Sequence, residues 1–401
     1  MNDRQYVFLG GIFSELQLTF IVENSRGVIQ NAADAFQKKI ISGLDAVLKE
    51  GVLVLNFPFV GSYPRFFRLP FFSKCDGRFG VKSRFIGYGF LNVFALRILS
   101  RFFSSFKALL SLPKSKDVVL FVYSAHLPFV LSAVLYKFFR RSTLICLILP
   151  DLPEYMGDNG RLRKFLKWFD VKFFYFLSRY FDRFVFLTEY MADRLDIPKS
   201  RYVVVEGIAN HGSIQHTIRS AEKKSFLYTG TLAKRYGVMN LVAAFSKVEN
   251  DSVELWICGD GDAKEEIVSA AGSDSRIVYY GQVDRSFALS LQEKASFLVN
   301  PRAPEGEYTK YSFPSKILEY MSSGKPVIMY KLDGVPEEYD QFYIAPNALG
   351  VDSLCECMTD VLKMSDEKLF KIGDSAKKFV FANKNPEVQA KKIINLFSQE
   401  I

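Results

Sequence analysis

Several features are scarce in this 401-residue chain, and each scarcity excludes a class of protein. The 5 cysteines have no paired spacing, so the sequence offers neither a disulfide framework nor a zinc site, which favours a reducing compartment. The longest apolar stretch, residues 118–139, is nearly long enough to span a bilayer, but Ser124, His126 and Pro128 interrupt its middle. The early apolar piece YVFLGGIF lacks a cleavage-site pattern, so no secretory signal is expected. We therefore expect a cytoplasmic protein.

Basic and aromatic residues, by contrast, are abundant and occur together. The net charge is +9, and much of the excess lies in residues 161–183, RLRKFLKWFDVKFFYFLSRYFDR, and in a second tract over residues 65–107. Such stretches suit anionic lipid headgroups, with cations at the phosphates and aromatic rings in the interface. The alternative is a packed helix with a solvated basic face. No nucleic-acid-binding motif accompanies the tracts, so we expect peripheral contact with the inner face of the cell membrane and no nucleic-acid partner.

Short apolar runs alternate with turns and helical patterns along the whole chain. YVFLGG and VVLFVYSAH precede a polar stretch, NHGSIQHTIRSAEKK, after which SFLYTGTL and VELWICGDG restart the rhythm. This alternation predicts an α/β protein with two doubly wound, Rossmann-like parallel-sheet domains. We predict one domain over residues 1–209 and a second over residues 210–385. Either domain could hold the final helix, residues 386–401, and the first is our candidate.

Ligands of doubly wound sheets bind beyond the carboxyl ends of the strands, so the residues that follow each strand are the candidate contacts. Glycine at such a position lets the backbone approach a ligand, and lysine or arginine neutralises phosphate charge. Packing turns and solvated side chains are the alternative interpretation. In the second domain, the candidates are Gly230, Thr231, Lys234, Arg235, Gly259 and Arg302.

One short segment, YSFPSKILEYMSSGKPVI over residues 311–328, has marked helix limits. Ser312 is the predicted N-cap, Pro314 suits the first helical position, and Gly324 suits the C-terminal cap. The pattern predicts a short helix that returns the chain to a strand.

Ser315 and Lys316 then fall in the first turn, where free backbone N–H groups and the helix dipole attract an anion. Glu319 comes four residues after Ser315 and projects from the same face. A diphosphate at the first turn and a sugar beside Glu319 would fit a nucleotide. An ordinary amphipathic helix with a solvated glutamate is the alternative.

In the first domain, four residues follow predicted strands. Gly10 and Gly11 either open an acceptor groove or make a tight turn. His126 and Asp151 are the candidates if the chemistry needs a general base, although each could instead serve the local turn or helix start. No Asp-x-Asp motif supports a metal, because the only such spacing, at residues 260–262, reads as a turn after a strand.

The order of motifs in the second half resembles a known family. FLYTGTLAKRYGV, ICGDGD, YYGQV, LVNPR, FPSKILEYMSSGKPVI and DGVPEE resemble the retaining GT-B glycosyltransferases of family four, which include bacterial capsule, exopolysaccharide and O-antigen enzymes. The first half is similar only in pattern. The resemblance implies two domains that face a cleft, with a nucleotide-sugar donor, which we expect to be a UDP-sugar, in the second and the acceptor in the first.

The resemblance also implies roles for individual residues. It assigns the diphosphate to Ser315 and Lys316, the ribose to Glu319, and a donor-sugar contact to His126. The family's first motif glutamate corresponds to Tyr311, where this chain departs from the pattern. The donor-sugar contacts are then predicted as Tyr311, Phe313 and Pro314.

The implied reaction is a metal-independent hexosyl transfer with retention and without a cofactor. The expected acceptor is a polyprenyl-diphosphate-linked saccharide in surface polysaccharide synthesis. Two alternatives stay open: a nucleotide-sugar 2-epimerase of similar fold, and a non-catalytic nucleotide-sugar-binding protein at the membrane.

Overall fold

A computed structural model describes residues 4–27, 29–94, 96–155, 161–209 and 223–398. The chain divides into two compact units, one formed by residues 1–208 with residues 386–401 and the other by residues 209–385. Each unit has its own parallel sheet covered by helices, which confirms the predicted α/β fold class of two doubly wound sheets.

The first unit is built on an 8-stranded sheet in the order β10-β9-β8-β7-β1-β2-β5-β4. All neighbouring pairs are parallel except β4 and β5 at one edge. The central strands are buried almost end to end, because helices cover both faces, and this explains their continuous apolar runs. The strands of this unit are β1 (Arg4–Gly10), β2 (Leu53–Asn56), β3 (Phe71–Phe72), β4 (Asp76–Phe79), β5 (Ser83–Gly87), β6 (Phe90–Leu91), β7 (Asp117–Tyr123), β8 (Leu144–Leu149), β9 (Arg183–Phe186) and β10 (Tyr202–Val204).

Seven helices belong to this unit within the described ranges: α1 (Glu15–Asn24), α2 (Asn31–Val47), α3 (Leu96–Leu110), α4 (Leu127–Phe139), α5 (Arg161–Ser178), α6 (Glu189–Leu195) and the last helix of the chain, α13 (Pro386–Asn395). Helix α13 packs on α2, where a side chain on Gly43 would place its Cβ 2.1 Å from the carbonyl oxygen of Pro386. Arg183 Nε also donates to the carbonyl of Leu396 at 2.9 Å. None of the helices in the described ranges combines the length and the apolar character that a membrane crossing requires.

The second unit has five parallel strands in the order β13-β12-β11-β14-β15. Side chains of β11 alternate between two cores, with Phe226 and Tyr228 on one face of the sheet and Leu227 on the other. The elements are β11 (Lys224–Thr229), α7 (Val238–Ser246), β12 (Val253–Cys258), α8 (Lys264–Ser273), β13 (Ile277–Gly281), α9 (Arg285–Lys294), β14 (Phe297–Asn300), α10 (Lys316–Ser323), β15 (Val327–Met329), α11 (Val351–Lys363) and α12 (Asp366–Asn383).

Candidate functional site

Helix α10 begins later than its sequence predicts. Its first residue is Lys316 and its N-cap is Ser315, whereas the predicted cap was Ser312. The Ser312 hydroxyl is engaged elsewhere, because it donates to the Tyr308 carbonyl at 3.2 Å and accepts from Arg302 at 2.9 Å. Lys316 and Glu319 therefore share the first turn, and the predicted C-terminal cap at Gly324 has the left-handed φ of 76° that glycine favours.

Glu319 is held among three donors. Its carboxylate accepts from Gln292 Nε2 and from Lys316 Nζ, both at 2.8 Å, and Arg285 lies 3.9 Å away. Burial by itself would raise the pKa of Glu319, but the charge and hydrogen bond of Lys316, the hydrogen bond of Gln292 and the charge of Arg285 together lower it. The carboxylate is therefore ionised at neutral pH, and its side chain remains 24% exposed. It can accept hydrogen bonds from a ligand's hydroxyl groups.

A buried network fixes this carboxylate to the carboxyl end of the central strand. Gln292, only 1% exposed, also donates to Thr229 Oγ1 at 3.2 Å. The Tyr320 hydroxyl accepts from the Thr229 N–H at 2.9 Å. The sequence did not predict these positioning residues, since a glutamine or tyrosine inside an apolar pattern gives no signal of its partner. Only the folded chain shows that Gln292 and Tyr320 contact Thr229, because these residues are far apart in the sequence.

Arg235 after β11 and Arg302 after β14 form a cationic cluster. The guanidinium groups of Arg235 and Arg302 both lie over the ring of Tyr236, with their central carbons 5.1 and 5.5 Å from its centre. Two buried donors there, Arg302 Nε and Asn300 Nδ2, have no hydrogen-bond partner in the structure. Unpaired buried donors are costly, so these two groups are suited to donate hydrogen bonds to an anionic ligand.

Gly230 and Gly259 bring two strand ends into backbone contact. A side chain on Gly259 would place its Cβ 1.8 Å from the carbonyl oxygen of Gly230, and the φ of Gly259 is +145°. The Gly259 N–H donates to the carbonyl of Gly281 at 2.9 Å, so this amide already has a partner. These glycines let the ends of β11 and β12 pack closely against each other.

Two predicted contacts need correction. Lys234 extends away from the cluster, because its ammonium pairs with Glu266 on α8. Phe313 is 7% exposed, and its ring packs 5.6 Å from that of Tyr339 in the core, so it can reach a ligand only through its backbone. Thr231 is exposed, and Pro314 and Tyr311 are half-buried just before α10.

In the first unit, the Gly10-Gly11 turn after β1 is tightly packed. Gln37 binds both the N–H and the carbonyl of Gly11, at 2.9 and 3.1 Å. A Cβ on Gly11 would lie 2.4 Å from the carbonyl oxygen of Phe57. The tight-turn interpretation therefore fits better than an acceptor groove, because both backbone polar groups of Gly11 and the carbonyl of Gly10 are already engaged.

His126 and Asp151 follow the neighbouring strands β7 and β8. His126 is the N-cap residue of α4, and burial together with the charges of Arg101 and Arg97 lowers its pKa well below the usual value, so the imidazole is neutral. Asp151 keeps an exposed surface, yet burial around its carboxyl raises its pKa to about 6. A carboxylate with that pKa could serve as a base near neutral pH. Within the described part of the chain, no group of three acidic, histidine or cysteine side chains is arranged to hold a metal.

Part of the chain matches the model of a known protein family. Residues 223–364, most of the second unit, match the model of the family described as glycosyl transferases group 1. A search of curated proteins found no match.

Solved structures are similar over nearly the whole chain. The lipopolysaccharide outer core galactosyltransferase WaaB, in its apo form, matches with 15% identity and a TM-score of 0.63, covering 99% of this chain and 100% of its own. Anabaena HepE in complex with UDP matches with 14% identity and a TM-score of 0.64, covering 99% and 100%. An alpha,alpha-trehalose-phosphate synthase (UDP-forming) from Burkholderia xenovorans matches with 11% identity and a TM-score of 0.66, covering 98% and 99%. At these low identities the structural similarity shows the GT-B fold alone, and the match to glycosyl transferases group 1 applies to residues 223–364.

Proposed function

We propose that this chain, whose GT-B fold includes a group 1 glycosyltransferase segment, transfers a hexose with retention from a nucleotide sugar to a lipid-linked saccharide acceptor in surface polysaccharide synthesis. The observation that carries the proposal is the ionised Glu319, held by Gln292 beside Lys316 in the first turn of α10. An ionised carboxylate accepts strong hydrogen bonds from the two ribose hydroxyls, and the adjacent ammonium and helix start suit a diphosphate. HepE, which shares the fold, has been crystallised with UDP and also with UDP and glucose, which supports UDP as the nucleotide here.

The positive charges of the second unit suit a reaction in which a diphosphate leaves the sugar. The bond between the anomeric carbon and the diphosphate oxygen breaks, and the departing diphosphate gains negative charge. Lys316, Arg235 and Arg302 would stabilise that charge without a metal. The acceptor hydroxyl forms the new bond on the same face of the sugar, and its proton passes to the leaving phosphate oxygen. If a protein base takes that proton instead, Asp151, whose pKa is raised to about 6, is a better candidate than His126, whose pKa is lowered well below its usual value.

Nucleotide release tests the proposal. UDP-, GDP- and dTDP-hexoses are screened by thermal shift, and the sugar nucleotide that binds is then incubated with prenyl-diphosphate-linked saccharide. We expect free nucleoside diphosphate and an elongated glycolipid, with little nucleotide released when the acceptor is omitted. Conversion of the nucleotide sugar without acceptor would indicate the 2-epimerase instead. Binding without turnover under either condition would indicate a non-catalytic binder.

Exposed aromatic and basic side chains on the first unit support peripheral membrane binding. On α5, Trp168 is 54% exposed, and Lys172 lies over its ring at 5.9 Å. On the adjoining α4, Phe138 and Phe139 are more than two-thirds exposed. Large exposed rings next to lysines match the interface of an anionic bilayer, where the rings enter the headgroup region and the cations meet phosphates. We propose that this aromatic-basic face docks on such a membrane.

Neutralising two lysines of α5, in the double variant Lys167→Gln and Lys172→Gln, should weaken vesicle binding about 30-fold, since each cation near an anionic surface contributes about 1 kcal/mol. Co-sedimentation with phosphatidylglycerol vesicles measures the effect, and phosphatidylcholine vesicles should bind neither protein. The control removes two exposed lysines of α12, Lys368→Gln and Lys371→Gln, and should bind like wild type. Equal loss in both double variants would mean that net charge alone is sensed. Unchanged binding in the α5 variant would refute the assignment of this face.

A further inference from the structure

Two arginines of α3, Arg97 and Arg101, lie one turn apart in the first unit. Arg97 Nη1 donates to the carbonyl of Val60 at 3.1 Å, and Arg101 Nη2 donates to the carbonyl of Pro58. Arg101 is only 2% exposed. Among the residues that the structure describes, neither guanidinium makes an ion pair with a carboxylate. The Arg101 guanidinium is thus withdrawn from water and the Arg97 guanidinium partly so, and the strong acceptors that the structure gives them are backbone carbonyl oxygens.

The hydrogen-bonding capacity of Arg101 is largely unused. Its Nε is buried and has no partner, and its Nη1 lies 3.5 Å from His126 Nε2, at the outer limit of a hydrogen bond. The rings of Phe90 and Phe59 flank the guanidinium, at 4.2 and 5.7 Å. Ring faces compensate only part of the lost hydration of a cation, so a buried guanidinium with free donors is an incomplete arrangement.

His126 lies beside Arg101 and can donate a further hydrogen bond to a ligand. If Nε2 accepts from Arg101, as the neutral ring allows, the other ring nitrogen carries a hydrogen and can donate. Arg97 and His126 are both only half-buried, which gives solvent access to this group of donors. The ring of Phe59 stands edge-on to His126 at 5.6 Å and forms an apolar wall.

We propose that Arg97, Arg101 and His126 form an anion site that binds the phosphate or diphosphate group of the acceptor. This proposal adds a substrate contact to the proposed function. It rests on that function in one respect, because the anion is taken to be part of the molecule that receives the sugar. Two guanidinium forks match the several oxygens and double charge of a phosphate better than the single charge of a carboxylate. A soluble sugar phosphate and a prenyl diphosphate offer the same chemistry, so both are probes in the test.

Calorimetric titration of the full chain tests the site with farnesyl diphosphate, glucose 6-phosphate and UDP. We expect Arg97→Gln and Arg101→Met each to weaken the binding of the phosphate probe that wild type prefers at least tenfold, while affinity for UDP stays within twofold of wild type. The matched control is Arg141→Gln, which removes the charge of an exposed arginine after α4. Arg97 is half-buried, so its variant remains informative if the Arg101 variant fails to fold.

Each outcome decides the matter. Preference for farnesyl diphosphate identifies a lipid acceptor, and preference for glucose 6-phosphate identifies a phosphosugar, and both support the site. Phosphate affinity that is unchanged in the two variants, or reduced equally in Arg141→Gln, overturns it, as does a wild-type protein that binds none of the phosphate probes. A chain that binds farnesyl diphosphate through these arginines but binds none of UDP, GDP and dTDP would refute the proposed function and leave the anion site standing.

Discussion

Replacement of Glu319 by glutamine should lower affinity for the nucleoside diphosphate about 100-fold and leave affinity for pyrophosphate undiminished. The glutamine keeps the shape of the side chain but loses the negative charge of the carboxylate, whose oxygens would accept hydrogen bonds from the ribose hydroxyls. Two such charge-assisted hydrogen bonds contribute about 3 kcal/mol to the binding free energy. The same change frees Lys316, whose ammonium is now 2.8 Å from the Glu319 carboxylate. An unpaired Lys316 binds phosphate oxygens at least as well as before. Calorimetry with UDP and with pyrophosphate measures both effects in one variant.

This contrast separates ribose recognition from a general loss of structure. Glu356→Gln, an exposed glutamate of α11, is the matched control and should bind both ligands like wild type. Wild-type UDP affinity in Glu319→Gln would refute the ribose contact. An equal fall in affinity for both ligands would show that Glu319 maintains the structure of the site and does not bind the ribose.

Gly259→Ala should destabilise the second unit by about 4 kcal/mol and lower its melting temperature by about 10 °C, through overpacking and backbone strain. The new Cβ would stand 1.8 Å from the Gly230 carbonyl oxygen, at a φ of +145° that side chains rarely adopt. The chain has 2 tryptophans, and one of them, Trp256, lies in β12 just before this turn. In a Trp168→Phe background, tryptophan fluorescence therefore reports the unfolding of the second unit alone.

The control for this strain is Gly272→Ala in α8. A Cβ at Gly272 would meet no atom within 4 Å. The helix propensity of alanine exceeds that of glycine by about 1 kcal/mol, so this variant should be as stable as wild type or slightly more stable. A Gly259→Ala melting curve that overlays the Gly272→Ala curve would contradict the close-packing argument. A loss of UDP binding at temperatures where Gly259→Ala is still folded would add that the turn shapes the ligand site.

The fold was largely predictable because its signals are local. Continuous apolar runs such as LICLIL in β8 and FLVN in β14 are typical of strands covered on both faces, and glycine or proline punctuates them. The helix α10 illustrates the limit of that prediction. Its end at Gly324 follows from the residue type, but its start moved to Lys316 because the Ser312 hydroxyl bonds to Tyr308 and Arg302.

The site divides in the same way. Sequence reasoning named Glu319, Lys316 and Arg302 as candidate contacts, because their motif and their positions after a strand are visible along the chain, and their roles stay predictions. It did not name Gln292, which contacts Glu319, or Arg101, which contacts His126, because both look like ordinary members of helical patterns.

The sequence by itself determined the two sheets, most of the turn chemistry and the segment that begins α10, since residues close in the chain decide backbone conformation and hydrophobic period. Only the tertiary structure decided which polar groups meet. It placed Gln292 between Thr229 and Glu319, turned Lys234 outward to Glu266, buried Phe313, and enclosed Arg101 beside His126. Each of these outcomes joins residues from separate elements, and the free energy of a buried polar group depends on partners that only packing brings within hydrogen-bonding distance.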